Sequence, residues 1–541
     1  MQSIKLIINH LTHKERVWLF ISGSILILSI IGAIGIAIQT KSVMKPIRGG
    51  SYVEGIVGQP IMVNPVKTET SADQDLVALL YAPLSELTDT IEPSPDGKQY
   101  IIKLKEDLFW SDGERLTSND IIFTIELIQK LGTDSPLFTE WQGISASRAS
   151  ELQTTLTLSQ PYTFFKTNIN TLRIVPQHIF GTIPVKNLYL STYNFEPVGS
   201  GPYTVNKIEK RKDGFITEYK LKENTFYAGE KPFIPDFSVR FYPDVDSLVH
   251  DAELRTVNGF GITNFIPTEV FKLPRIEIEA ISLPRYYALF FNPVNNPMLQ
   301  NKELRSALGK AINKERIIKD ILKEQGSQIE GPVLRSLLGI EGSSSTYNPE
   351  EAARVISSVS GLKLAIVIPE IPFLEAIAEE VRKDWITAGV SDVTVYPIPM
   401  ADIQNVIQSR NYDVLLFGNT YKNPIDLFPF WHSSFRFFPG LNLSLYKNTE
   451  VDKILEDIRQ SKEITQTQIN QLTKIDEQIK NDAPAAFLFS LPYFYVHTTR
   501  MEGSFPNIIH SPSERFSNVS QWSVNRIRVL SPQNSSSTTT E

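Results

Sequence analysis

Residues 100–128 constrain the fold more than any other stretch of the chain. They read Tyr-Ile-Ile-Lys-Leu-Lys-Glu-Asp-Leu-Phe-Trp-Ser-Asp-Gly-Glu-Arg-Leu-Thr-Ser-Asn-Asp-Ile-Ile-Phe-Thr-Ile-Glu-Leu-Ile. Tyr100 to Leu104 alternates as a half-buried strand does. Ser111-Asp112-Gly113 is a turn cluster, with Gly113 free to take a positive φ. Thr117 followed three residues later by Asp120 predicts a capping box. Ile121, Ile122, Ile125, Leu127 and Ile128 then form an apolar helical run. Strand, turn and capped helix in so short a space commit this part of the chain to mixed α/β architecture.

The same mixture continues downstream. Tyr52–Val57 and Leu152–Leu158 read as strands, and Asp73–Leu87 as a helix. Pro197-Val198-Gly199-Ser200-Gly201-Pro202-Tyr203 is a rigid turn built from two Gly and two Pro. No Lys-Ser/Thr pair or capped helix follows its glycines, which argues against a phosphate loop. Leu289–Asn292 is a strand broken by Pro293, and Leu299–Leu322 reads as one helix. Its apolar face holds Leu304, Ala307, Leu308, Ala311, Ile312 and Ile318. From about 362 to 417, strand and helix patterns alternate, which predicts a parallel, helix-covered sheet. Val451–Lys480 is a polar helical stretch, and Ala485–Tyr495 returns to strand.

Taken together, these segments resemble one family: the periplasmic oligopeptide/dipeptide-binding proteins, family 5 solute receptors of peptide ABC transporters. The resemblance rests on four groups of residues. They are the Asp112-Gly113 turn with its capped helix, and the turn Pro197–Tyr203. The others are the helix Leu304-Arg305-Ser306-Ala307-Leu308 with Ala311–Ile317, and the opening segment Gly49–Gly55 with Asn64-Pro65. The similarity runs from about Gly49 to about Trp522. It implies an α/β, two-lobed periplasmic-binding-protein type II fold, with an additional subdomain in lobe 1 and a two-stranded hinge. The expected division is lobe 1 at 49–288 with its inserted subdomain at about 65–190, lobe 2 at 289–486, and a return to lobe 1 at 487–530. A disordered, Ser/Thr-rich tail is expected at 531–541.

Val17 to Ile38 carries no charge and is long enough to span a bilayer as a helix. It is longer than the apolar region of a usual signal peptide, although Ala33, Gly35 and Ala37 offer a cleavage site. The expectation is one uncleaved transmembrane anchor at 17–38, with 1–16 cytoplasmic, 39–48 a linker and the large domain extracellular or periplasmic. The chain has no Cys, so it has no thiol nucleophile, no disulfide and no Cys to carry a lipid. Its net charge of −7 argues against a nucleic-acid partner.

No catalytic constellation stands out, and no enzyme activity, cofactor or metal is expected. The seven His are scattered without metal-ligand spacing, and no nucleophile elbow occurs. Asp73/Asp75 and Asp244/Asp246 read as solvated turn or cap carboxylates. The candidate ligand segment follows the strand Asp413–Phe417, because open α/β domains bind beyond the carboxyl ends of strands. Its proposed contacts are Phe417, Gly418, Asn419, Tyr421, Asp426, Trp431 and His432. The resemblance implies that this segment lines the cleft between lobes. Many relatives place an Asp just after the strand end to meet a peptide's amino terminus; here Asn419 and Thr420 stand there, and Asp426 is the first acid. The implied function is capture of an oligopeptide or other small solute by a monomer, and its delivery to ABC permease subunits. The alternatives are a nickel receptor of the same family, with His432 as ligand, and a sensor ectodomain.

Overall fold

The computed structural model describes residues 12–40, 42–130, 132–342 and 345–530. The expected tail at 531–541 and most of the expected cytoplasmic segment lie outside these. The strands, numbered along the chain, form two large sheets, one small sheet and a two-stranded ribbon. The first sheet has the order β11 (Ile276–Ile281), β18 (Tyr493–Thr498), β10 (Gly259–Ile262), β2 (Ser51–Val57), β9 (Asp236–Tyr242), β8 (Ile216–Glu223) and β7 (Tyr203–Lys210). The second has the order β13 (Ser327–Gln328), β17 (Ala485–Ser490), β12 (Arg285–Phe291), β16 (Val414–Thr420), β14 (Lys363–Pro369) and β15 (Asp392–Ile398).

In the second sheet, β16, β14 and β15 run parallel, with helices Pro372–Thr387 and Ile403–Ser409 between them, as the alternating pattern predicts. Every residue of β12 is buried. Tyr287, Leu289 and Phe291 enter one apolar cluster, and Tyr286, Ala288 and Phe290 enter the cluster on the other face. A strand covered on both faces reads as a continuous apolar run, and β12 does from Tyr286 to Phe291.

The chain crosses between the two sheets twice, through Ser282–Pro284 and through Leu491–Pro492. These crossings lie several residues from the expected boundaries at 288/289 and 486/487. β12 pairs along its full length with β16, and its residues Tyr287–Phe290 pair with β17, all inside the second sheet, so the change of lobe falls at the Pro-containing links, where no ladder continues. Beside the hinge, Ser490 Oγ donates to the Arg285 carbonyl at 2.7 Å and ties β17 to β12; across it, Gln325 pairs with both backbone groups of Ile266 at 2.7 and 3.1 Å.

The small sheet, β3 (Thr88–Pro93), β4 (Gln99–Leu104), β6 (Gln153–Thr157) and β5 (Ser145–Ser150), shares a core with the first. Leu76, Trp110, Ile121 and Trp141 belong to the same cluster as Tyr52, Phe237 and Trp522. The capping box forms: the Asp120 carboxylate accepts from Thr117 N–H at 2.8 Å, and also from Gln177 N–H at 2.8 Å. The Pro197–Tyr203 turn packs against the end of helix Ser71–Leu80. Gly201 N–H donates to Leu80 O at 2.8 Å, and a Cβ on Gly199 would lie 1.9 Å from that oxygen. This turn is a structural clamp, which explains its glycines by close backbone approach.

Four expectations need correction. The helix expected over Leu299–Leu322 breaks after Lys310, because the Asn313 side chain accepts from Arg316 N–H at 2.9 Å and starts a new turn. Val451–Lys480 is two helices, Thr449–Gln460 and Gln466–Asp482, the second capped by Thr465. Asp73 and Asp75 are buried, not solvated: the first accepts from four backbone N–H groups and the second pairs with Arg515. Lastly, the 39–48 linker is mostly structured. Helix His13–Thr40 is followed by β1 (Ser42–Ile47), which pairs antiparallel with β19 (Asn525–Leu530). Val43, Met44 and Ile47 suit a strand, and Pro46 is tolerated because both strands of a ribbon are edges. The helix satisfies length and composition for a membrane span over His13–Ala33, and none of that stretch is buried against the rest of the protein.

Candidate functional site

The second lobe presents the end of β16 and the loop beyond it to the inserted subdomain of the first. Between them lies a cavity of about 490 Å³. The first lobe contributes Glu140, Tyr162, Thr167 and Asn168, and the second Lys422, Asp426, Phe430 and Arg459. A smaller cavity of about 210 Å³ shares Glu140, Asn168 and Lys422 with it and reaches Trp141 and Arg173. A larger space of about 560 Å³ flanks the hinge, but its only first-lobe walls are hinge residues. The cavity that both lobes build is therefore the candidate site, since closure energy comes from contacts made to both halves.

Arg459 is the hub of this cleft. Its Nη2 and Nε donate to Asp426 at 2.6 and 2.9 Å, a two-point pair. Its guanidinium lies over the Phe428 ring at 4.2 Å and the Tyr162 ring at 5.3 Å. Burial lowers the Arg459 pKa, but the hydrogen bonds and charge of Asp426 outweigh it, so the net shift is upward. Tyr162 O–H donates to Asp426 at 3.2 Å from across the cleft. Burial first, and the Asp426 charge second, push the Tyr162 hydroxyl far above its usual range, so it stays a donor. Glu140 pairs with Lys422, again one residue from each lobe. The cavity thus carries two acids and two cations, each matched within the protein.

A latch adjoins these charges. Thr163 N–H donates to the Arg459 carbonyl at 2.8 Å, and Thr163 Oγ1 lies 2.9 Å from the Ile458 carbonyl. Phe164, from the first lobe, is 4% exposed and sits in an apolar cluster whose other buried members come from the second. The described conformation is therefore closed.

Of the seven residues singled out from sequence, Asp426 alone lines this cavity. Asn419 Nδ2 donates to the Tyr286 hydroxyl at 3.1 Å, and Tyr421 O–H donates to Pro332 O at 2.9 Å; both are buried. Trp431 is 1% exposed and packs near Phe487, Tyr446 and Phe290, so it is core rather than cleft in this conformation. Phe417 and Gly418 are half-buried on β16. His432 stacks on Phe428 at 4.0 Å and bonds Ser434 and Glu456, away from the cavity wall. Amphipathic aromatics fill cores as readily as clefts, so a run of them after a strand end does not by itself mark the cleft wall. Tyr162 and Arg459 went unseen. Tyr162 follows a Pro in a short link, Arg459 sits on a polar helix, and only the fold brings them together.

Comparison with known proteins agrees with this architecture. The model of the bacterial extracellular solute-binding proteins, family 5 middle region, matches residues 82–436. The oligopeptide-binding protein AppA of Bacillus subtilis is 23% identical over 528 residues, covering 89% of this chain and 93% of that protein. The crystal structure of the ABC transporter substrate-binding protein CtaP from Listeria monocytogenes superposes with TM-score 0.76 at 22% identity, covering 88% of this chain and all of that one. Bacillus subtilis AppA in complex with a nonapeptide gives TM-score 0.72 at 21% identity, covering 89% and 100%. The chain belongs to the bacterial extracellular solute-binding proteins of family 5.

Proposed function

We infer that this protein captures short peptides between its lobes and hands them to the permease of an ABC transporter, held at the membrane by helix His13–Thr40. The observation that carries the reading is the pairing of charges in the inter-lobe cavity. A zwitterionic peptide offers an ammonium and a carboxylate. Asp426 and Glu140 match the first, and Arg459 and Lys422 match the second. Asp426 and Arg459, the more buried of the two pairs, are matched within the protein, so neither stands as an unpaired buried charge, which would cost several kcal/mol. A volume of about 490 Å³ lies within the usual range for small-ligand pockets. Relatives whose names state peptide binding support the same class.

The test is calorimetry of the full chain with one tripeptide in three forms: free, N-acetylated and C-amidated. The free form should bind tightest, and each blocked end should cost on the order of 2 kcal/mol, as loss of one partner of a buried charge pair does. Equal affinity for all three forms would show that the termini are not recognised. Binding of nickel ions in place of any peptide would favour a metal receptor instead.

A further inference from the structure

A second pocket lies in the first lobe, far along β18 from the hinge. It has a volume of about 280 Å³ and is lined by Arg255, Arg275 and Arg500 together with Asn258 and Thr498. Among the described residues, none of the three guanidinium groups has an ion-pair or hydrogen-bond partner. Thr498 Oγ1 is buried in the same place with no partner of its own. Glu253 and Glu277 do not line the pocket; the acids nearest to it, Glu277 and Glu279, face His497 on its wall, with Glu279 3.8 Å from the ring. Arg255 and Arg275 both hold left-handed backbone, with φ of 61° and 57°, uncommon for residues other than Gly. Three unpaired guanidinium groups and a free hydroxyl around one hollow, on a chain of net charge −7, make a site for an anion with several oxygen acceptors.

Its place in the fold narrows the ligand. Asn258 exchanges hydrogen bonds with Val53, close after the Gly49-Gly50 entry to β2. Arg500 is two residues before Glu502, which pairs with Ser523 and, through its side chain, with Arg526 of β19. The pocket thus sits at the end of the lobe where the chain arrives from the apolar helix through the β1–β19 ribbon. Leu254, beside Arg255, is 59% exposed, and Phe271, four residues before Arg275, is 55% exposed. Exposed apolar side chains flanked by cations suit a bilayer interface.

We propose that Arg255, Arg275 and Arg500 form a phosphate site, and that the phosphate is the headgroup of an anionic phospholipid in the membrane that holds the protein. The choice of lipid over free phosphate rests on the anchor reading; the phosphate chemistry does not. The experiment titrates the full chain, in neutral detergent, with dihexanoyl phosphatidylglycerol, dihexanoyl phosphatidylcholine and inorganic phosphate. Phosphatidylglycerol should bind on the order of tenfold or more tighter than phosphatidylcholine. Arg500→Gln should lose most of that binding, Arg500→Lys should keep part of it, and tripeptide affinity should stay unchanged in both. Inorganic phosphate binding as tightly as phosphatidylglycerol would keep the site and overturn the lipid. No binding of either anion, or binding indifferent to Arg500→Gln and Arg275→Gln in folded protein, overturns the site itself. A cleaved helix, seen by intact mass, would refute the anchor without touching this titration.

Discussion

At the scale of single residues, the costliest arrangement is the charge cluster under the first sheet. Arg515 is 2% exposed and bonds Glu54 at 2.8 and 3.1 Å and Asp75 at 2.7 and 2.8 Å. Tyr495 O–H adds a bond to Glu54 at 2.7 Å. Two acids share one cation, and burial raises the Glu54 pKa more than Arg515 lowers it. Arg515→Met should destabilise the protein by about 3–5 kcal/mol in chemical denaturation, because it strands two buried carboxyls. A raised folded-state pKa has a definite sign. Above the unfolded value the unfolded chain loses its proton first, so Glu54 favours the folded state most below that value and least above the folded one. The cost of Glu54→Gln should therefore be larger at about pH 4 than at about pH 8, where the neutral amide imitates the form the site prefers. A cost that grows with pH would mean that the ionised form is the one stabilised there.

Among the elements, the segment Tyr162–Phe164 governs closure. Phe164→Ala should shift the protein toward an open form, seen as a larger radius of gyration in solution scattering. It should weaken peptide binding by roughly 2 kcal/mol while leaving each lobe's melting transition in place, since the ring fills a neighbour's core rather than its own. Trp431→Phe should leave the ligand-induced fluorescence change nearly intact, because that indole packs on Phe487 and Tyr446 and lines neither inter-lobe cavity; Trp141, as buried but on the wall of the smaller cavity beside Glu140, should carry more of it. Reading of elements from sequence succeeded where the signal was local. The Thr117–Asp120 cap and the run β14–β16 are each set by neighbours in the chain. It failed where the partner was remote. Nothing near Ser42 announces Leu530, and nothing near Tyr162 announces Asp426, 264 residues on. The cleft was legible as a region, through the loop after β16, and illegible as a set of contacts, because half of them come from the other lobe.

For the molecule as a whole, the absence of Cys makes closure directly addressable. Glu140 and Lys422 face each other across the cleft, so Glu140→Cys with Lys422→Cys places the only two thiols at its mouth. Cross-linking them should trap bound peptide and block uptake of new peptide, reversed by reductant; exchange that continues through the cross-link would place the entry elsewhere. The order of strands carries a further consequence, about time. β18 lies between β11 and β10, yet it is made after all of the second lobe, and Arg515 comes 461 residues after Glu54. At about 5–20 residues per second, that interval is on the order of half a minute to a minute and a half. The second lobe, closed by β17, can fold while the first still lacks a central strand and the cation for its buried acids. The lobe that begins the chain is the last to be finished, and a chain stopped short of Arg515 would carry a sound second lobe on an unassembled first.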